Sequence, residues 1–142
     1  MNDCKVMLVD DDADFLSTLV KRLRRRRLDA TDVNSSEEAL ARLEQDPFDV
    51  VILDVKMPGM DGIEALREIK KRHPLLEVIL LTGHADVEVA IEGMELGAFD
   101  YLVKPAEIDE LLYKIQDAHQ NKSIQEAKIR NMKKTAGPDI GD

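Results

Sequence analysis

Three acids, one hydroxyl and one cation stand where short apolar runs stop. Asp10 and Asp11 follow Val6–Val9, Asp54 follows Val50–Leu53, Thr82 follows Val78–Leu81, and Lys104 follows Phe99–Val103 and precedes Pro105. An apolar run that ends on a carboxylate asks for a chemical reason. Brought within a few ångströms, Asp10, Asp11 and Asp54 would repel one another, and their pKa values would rise unless a cation joined them. Lys104 offers one positive charge against three negative ones, which leaves the set at about −2. A hard divalent ion held by oxygens closes that gap, and Mg²⁺ (or Mn²⁺) suits a site with few carboxylates and spare water positions. Such an ion commonly shares its shell with phosphate oxygens. Asp54 then reads as a nucleophile towards phosphorus. Thr82 would donate its hydroxyl to one phosphoryl oxygen and Lys104 would neutralise another, so that positioning and charge carry the reaction.

Each residue taken singly has a plainer role. One of Asp10 to Asp12 could cap a helix, Asp54 could serve a turn, Thr82 is at home at a strand end, and Lys104 could be a solvated turn residue. What singles them out is a shared location, which depends on the elements that carry them. Five short apolar runs alternate with five segments of helical period. The helices are signalled by Phe15, Leu16, Leu19, Val20 and Leu23; by Ala39, Leu40 and Leu43 after a Ser35–Glu38 capping box; and by Ile63, Leu66 and Ile69 after Asp61. A fourth carries Val87, Ala90, Ile91 and Met94 with Asp86 as its expected cap and Gly97 at its end; a fifth starts near Ala106 with Ile108, Leu111, Leu112 and Ile115. The second run, Ala30–Val33, is the weakest strand signal.

Strict alternation with short connections predicts an α/β fold, a three-layer doubly wound five-stranded parallel sheet. Right-handed crossovers favour the flavodoxin-like (βα)5 arrangement with strand order 2-1-3-4-5. All carboxyl ends of such strands lie on one edge, and ligands bind in the crevice between strands one and three. The polar residues therefore gather where the topology makes a cleft.

Composition narrows the classes further. The 142 residues are enough for one domain with a real core. A net charge of −9 and few aromatics argue against direct nucleic-acid binding by this chain. The basic run Lys21–Arg27 opposes that balance, and reads as a solvated helix end whose cations suit the negative pole of the helix dipole. No apolar run is long enough for a membrane, and Met1–Lys5 lacks the pattern of a signal peptide. With Cys4 alone an internal disulfide is excluded, and a cytoplasmic setting is expected. His84, His73 and His119 read as lone histidines, none having a second histidine or cysteine at metal-binding spacing.

The motifs "MLVDDD", "VILDVKMPGMDG", "VILLTGHA" and "GAFDYLVKP", in that order, resemble the receiver domain of two-component response regulators over about residues 5–120. The resemblance implies that Asp54 accepts a phosphoryl group from the phosphohistidine of a sensor histidine kinase or phosphotransfer protein. It implies that Asp11 and Asp54 ligate Mg²⁺ directly, that Asp10 helps through water, and that the carbonyl of Lys56 completes the protein ligands. Asp12 falls outside the acidic pair and reads as a helix cap. By the same resemblance Thr82 and Tyr101 form a switch pair, Lys104 senses the phosphoryl group, and the Lys104–Pro105 peptide is cis. Lys56 and His84 occupy variable positions that tune how long the phosphoryl group survives. The implied output is a downstream protein or output domain, reached through the face of helix four, strand five and helix five. The chain would catalyse only its own phosphorylation and dephosphorylation, without substrate turnover.

Two rivals remain in view. A Mg²⁺-dependent phosphatase of the haloacid-dehalogenase type would carry a second aspartate two residues after the nucleophile, where this chain has Lys56 and shows no cap domain. A degenerate receiver used only for binding is opposed by the complete acidic set. Residues 1–122 are read as the receiver domain, and 123–142 as a polar C-terminal helical extension or disordered tail. Ile108, Ile115 and Ile129 share one seven-residue series and Leu111, Ala118 and Met132 its companion, interrupted by Lys122 and Gln125. That pattern is a weak coiled-coil signal for a phosphorylation-linked homodimer, set against packing of Ile108 to Ile115 on the sheet.

Overall fold

A computed structural model describes residues 4–136. Five strands, β1 (Lys5–Val9), β2 (Asp29–Val33), β3 (Val50–Asp54), β4 (Glu77–Thr82) and β5 (Asp100–Val103), alternate with α1 (Ala13–Arg25), α2 (Ser36–Gln45), α3 (Gly62–Arg72), α4 (Val87–Glu95) and α5 (Ile108–Ala136). The sheet is parallel throughout, in the order β2-β1-β3-β4-β5. The expected topology is the observed one.

The apolar runs are buried on both faces, as central parallel strands must be. Met7, Val9, Val51, Leu53, Val78 and Leu80 belong to the core under α2, α3 and α4, together with Ala39, Leu66 and Ile69. Val6, Leu8, Val50, Ile52, Ile79 and Leu81 belong to the opposite core with Leu16, Leu23, Leu111 and Ile115. Burying each such side chain contributes roughly 1.5–3 kcal/mol before chain entropy is set against it. Gly93 lets α4 lie close on the sheet, because a Cβ there would stand 2.4 Å from Leu80 Cδ1.

Three helix starts follow the sequence. Asp12 Oδ1 accepts from Phe15 N, Ser35 Oγ from Glu38 N, and Asp61 Oδ1 from Glu64 N, each supplying one of the acceptors a first turn needs. Asp86 does not. A three-residue 3-10 turn, His84–Asp86, precedes α4, and the Asp86 side chain makes no capping hydrogen bond. With its backbone at φ −114 and ψ 15, Asp86 lacks the extended geometry of a cap, and its carboxylate instead lies 3.6 Å from Lys56 Nζ.

Other boundaries shift by a residue or two. β3 includes Asp54, which is in register with Leu81; β5 begins at Asp100 rather than Phe99; α5 begins at Ile108 rather than near Ala106. The basic run is only partly a solvated end, because Arg24 Nε and Nη2 both donate to the carbonyl of Ala30 and hold α1 to β2.

From Ile108, α5 is one helix through Ala136. Its first half is core: Leu111, Ile115 and Ala118 are fully buried. The seven-residue series is thereby divided, since Ile129 and Met132 are exposed. The tail sequence from Gly137 to Asp142 lies outside the described residues.

Candidate functional site

β1, β3, β4 and β5 deliver their carboxyl ends to one edge, and the parallel register sets which residues meet there. Val9 pairs with Leu53, Asp54 with Leu81, and Thr82 with Val103. One step beyond or at those rungs stand Asp10, Asp54, Thr82 and Lys104. The carboxylate oxygens of Asp10, Asp11 and Asp54 lie within 4.8 Å of one another. Asp10 and Asp54 are buried, and Asp11 is exposed.

Lys104 enters this group from the β5 side. Its Nζ is 2.8 Å from Asp10 Oδ2 and 3.7 Å from Asp54 Oδ2. Asp10 Oδ1 accepts from Asp12 N, and Asp54 Oδ1 accepts from Lys56 N. These contacts do not neutralise the cluster. Burial, and after it the charge of Asp10, pushes the Asp54 carboxyl up from 3.8 to about 6, with Lys104 pulling the other way. Burial alone would lower the Lys104 ammonium, but its hydrogen bond to Asp10 and the charges of Asp54 and Asp10 raise it on balance.

An edge with buried, mutually repelling carboxylates and one cation has an unmet demand for positive charge. Its donors are oxygens, with no histidine or cysteine among the clustered atoms. That donor chemistry fits a hard divalent ion such as Mg²⁺.

The remaining predicted residues surround the same point. Thr82 is fully buried, and its hydroxyl donates to the carbonyl of Gly83 at 3.1 Å. Tyr101 is half-buried, packed against the core under α4. The Lys104–Pro105 peptide is cis. Lys56 and His84 are exposed, and the Lys56 ammonium lies 3.6 Å from Asp86 Oδ1. The loop after β3 is folded back by Val55 N donating to Leu81 O and Gly62 N donating to Val55 O.

Two contributors carry no signal in the residue types alone. The Phe15 ring lies 4.6 Å from Lys104 Nζ, a cation–π contact that holds the ammonium against α1. A Cβ at Gly62 would stand 2.2 Å from the carbonyl oxygen of Asp54, so glycine there lets α3 begin against the backbone of the site. The apolar helical period places Phe15 in a core, and only the fold brings it under Lys104.

The sequence model of the response regulator receiver domain matches residues 6–116. The chain belongs to that family. It is 42% identical over 113 residues to the DNA-binding transcriptional regulator NtrC of Salmonella typhimurium, covering 80% of this chain and 24% of that protein. To the transcriptional regulatory protein ZraR of Escherichia coli it is 37% identical, covering 80% and 26%. The receiver domain thus spans about a quarter of the length of these curated relatives. Among solved structures, a response regulator receiver domain protein from Clostridium thermocellum superposes with a TM-score of 0.83 at 37% identity, covering 86% of this chain and 98% of that one. The receiver domain of NtrX from Brucella abortus does so with a TM-score of 0.78 at 30% identity, covering 81% and 98%. A receiver is a phosphorylation-activated signalling switch, and its family generally binds Mg²⁺ at an acidic pocket such as the Asp10, Asp11 and Asp54 cluster.

Proposed function

We propose that Asp54 is the phosphoryl acceptor of this receiver, supplied by the phosphohistidine of a sensor kinase or phosphotransfer protein. The observation that carries this reading is the state of Asp54: buried at the sheet edge, beside Asp10 and Asp11, with Lys104, alone among the described residues, as its salt-bridge partner. An Asp54 oxygen forms the bond to phosphorus as the P–N bond breaks, and the electron pair of that bond returns to the ring nitrogen of the donor histidine. Asp11, Asp54 and the Lys56 carbonyl would hold Mg²⁺ (or Mn²⁺) directly, with Asp10 acting through water. Bound there, the ion supplies charge stabilisation for the transferring phosphoryl oxygens.

The protein's own groups do the rest. Lys104 exchanges its Asp10 contact for a phosphoryl oxygen, and the Thr82 hydroxyl leaves the Gly83 carbonyl to donate to another. Modification replaces one negative charge on Asp54 by about two, and it shifts the fold only through contacts that differ between the two states. Movement of Thr82 opens space for the Tyr101 ring, which carries the change to α4, β5 and α5 and so to a downstream protein or output domain. In this reading the chain works inside the cell, contacts no nucleic acid itself, and turns over no separate substrate.

Acetyl phosphate with Mg²⁺ should add one phosphoryl group per chain, read by intact mass and removed by acid or base. Asp54→Asn should abolish the addition, as should chelation of Mg²⁺, and Asp11→Ala should slow it by at least roughly tenfold. Undiminished addition to Asp54→Asn would remove the assignment.

A further inference from the structure

The opposite edge of the sheet holds a second set of metal-ligating side chains. Cys4 immediately precedes β1, Asp49 immediately precedes β3, and His119 lies on α5. The Cys4 sulfur, an Asp49 carboxylate oxygen and a His119 ring nitrogen are all within 4.8 Å of one another. We propose that Cys4, Asp49 and His119 form a Zn²⁺ site at the amino edge, separate from the acidic cluster at the carboxyl edge.

The donor set selects the metal. Sulfur, nitrogen and oxygen together suit a borderline ion, and three protein ligands with a fourth position left for water is a common zinc arrangement. Charge closes as well: thiolate and carboxylate together carry −2 against the ion's +2, and the neighbouring Lys122 and Glu126 cancel one another. Binding requires Cys4 as thiolate and His119 neutral, so the thiol proton is released to solvent.

Asp49 is already oriented from behind. Lys5 N donates to its Oδ2 at 2.9 Å, the kind of outer support that fixes a ligating carboxylate. Lys122 Nζ lies 3.3 Å from the other oxygen, Oδ1, and has a second acid in Glu126 at 2.8 Å, which it keeps when Asp49 turns to a metal. Cys4 is fully buried while Asp49 and His119 are half-buried, which gives the ion a way in beside α5. With Zn–S at about 2.3 Å and Zn–N at about 2.0–2.1 Å, tetrahedral ligand atoms sit roughly 3.3–3.6 Å apart. The trio, within 4.8 Å of one another, is thus at most roughly 1.5 Å per pair from that spacing. An ion here would tie the starts of β1 and β3 to the middle of α5.

The test uses the full chain with Mg²⁺ in excess, so that the acidic cluster is occupied by a hard ion, and Co²⁺ as the spectroscopic probe. One Co²⁺ per chain should bind with a thiolate-to-metal charge-transfer band and the strong visible bands of a tetrahedral ion, and Zn²⁺ should displace it. Cys4→Ser should remove the charge-transfer band. His119→Ala, at a half-buried helical position that tolerates the change, should weaken binding by roughly tenfold or more. Asp54→Asn should alter neither. Absence of the band in the wild type, or an unchanged Co²⁺ affinity in His119→Ala, overturns the proposal. Loss of binding in Asp54→Asn would assign the ion to the acidic cluster and overturn it equally.

Discussion

Both edges of the sheet set acids beside lysines, and they behave differently. At the amino edge the buried Glu77 and the partly buried Asp49 each have their own partners. Asp49 accepts from Lys5 N and pairs with Lys122; Glu77 pairs with Lys70 and accepts from Asn121. At the carboxyl edge, Asp10 and Asp54 share Lys104, and Asp11 adds a third charge. Balanced charge fastens α5 to the sheet. At the carboxyl edge the charge stays unbalanced, and that surplus calls for a hard cation, whereas at the amino edge donor type and not surplus charge would have to recruit a metal.

The contrast can be broken from either side. The largest effect is expected at Thr82, whose hydroxyl is committed to the Gly83 carbonyl in this state. Thr82→Ala should still accept a phosphoryl group, yet lose most of the amide-shift response to phosphorylation between Ala90 and Glu110. A full response in that variant would route the switch elsewhere.

A smaller effect is expected at the amino edge. Burial would lower the Lys122 ammonium, but its hydrogen bonds to Glu126 and Asp49 raise it on balance. A raised lysine contributes stability that is complete below its ordinary value of 10.5 and lost only as pH climbs through the higher folded value. Lys122→Ala should therefore destabilise by about 1–2 kcal/mol, with no change in that loss between about pH 6 and pH 9. Denaturant unfolding across that range checks both statements.

The smallest effect belongs to the free half of α5. About fourteen residues beyond Lys122 extend the helix by roughly 20 Å, with Ile129 and Met132 exposed on one side. Ile129→Lys with Met132→Lys should change monomer stability by a few tenths of a kcal/mol and lower any self-association seen in sedimentation. Sedimentation as a monomer with and without a phosphoryl analogue would make the heptad spacing coincidental.

The frame and the acidic edge were legible because period and strand-end position are local properties. Four apolar runs ending in Asp10, Asp54, Thr82 and Lys104 announce a parallel sheet and its reactive edge together. Phe15 under Lys104 was not legible, because a helical apolar position looks the same whether it faces a leucine or an ammonium. Nor was the meeting of Cys4, Asp49 and His119, which are far apart in sequence and joined only by the docking of α5. Asp86 misled because its position satisfied the cap rule while its backbone did not. The first half of the seven-residue series packs on the sheet, as the alternative reading of Ile108 to Ile115 expected, because one stripe serves the domain's own core.

Asp54 itself tests the charge comparison most directly. A carboxyl raised from 3.8 to about 6 on folding contributes stability in its protonated form, complete below about pH 3.8 and lost as pH rises through about 6. In metal-free protein at neutral pH the ionised group therefore opposes folding. A two-unit shift would carry about 3 kcal/mol, and solvent at the mouth with Lys104 beside it reduces that to on the order of 1–2 kcal/mol. The decisive measurement is the unfolding free energy of wild type and Asp54→Asn at about pH 7.5, in chelator and in Mg²⁺. Asp54→Asn should be the more stable in chelator, its advantage should fade towards pH 4, and Mg²⁺ should stabilise the wild type more than the variant. A variant less stable than wild type in chelator, with the same response to Mg²⁺, would contradict the surplus of charge at this edge.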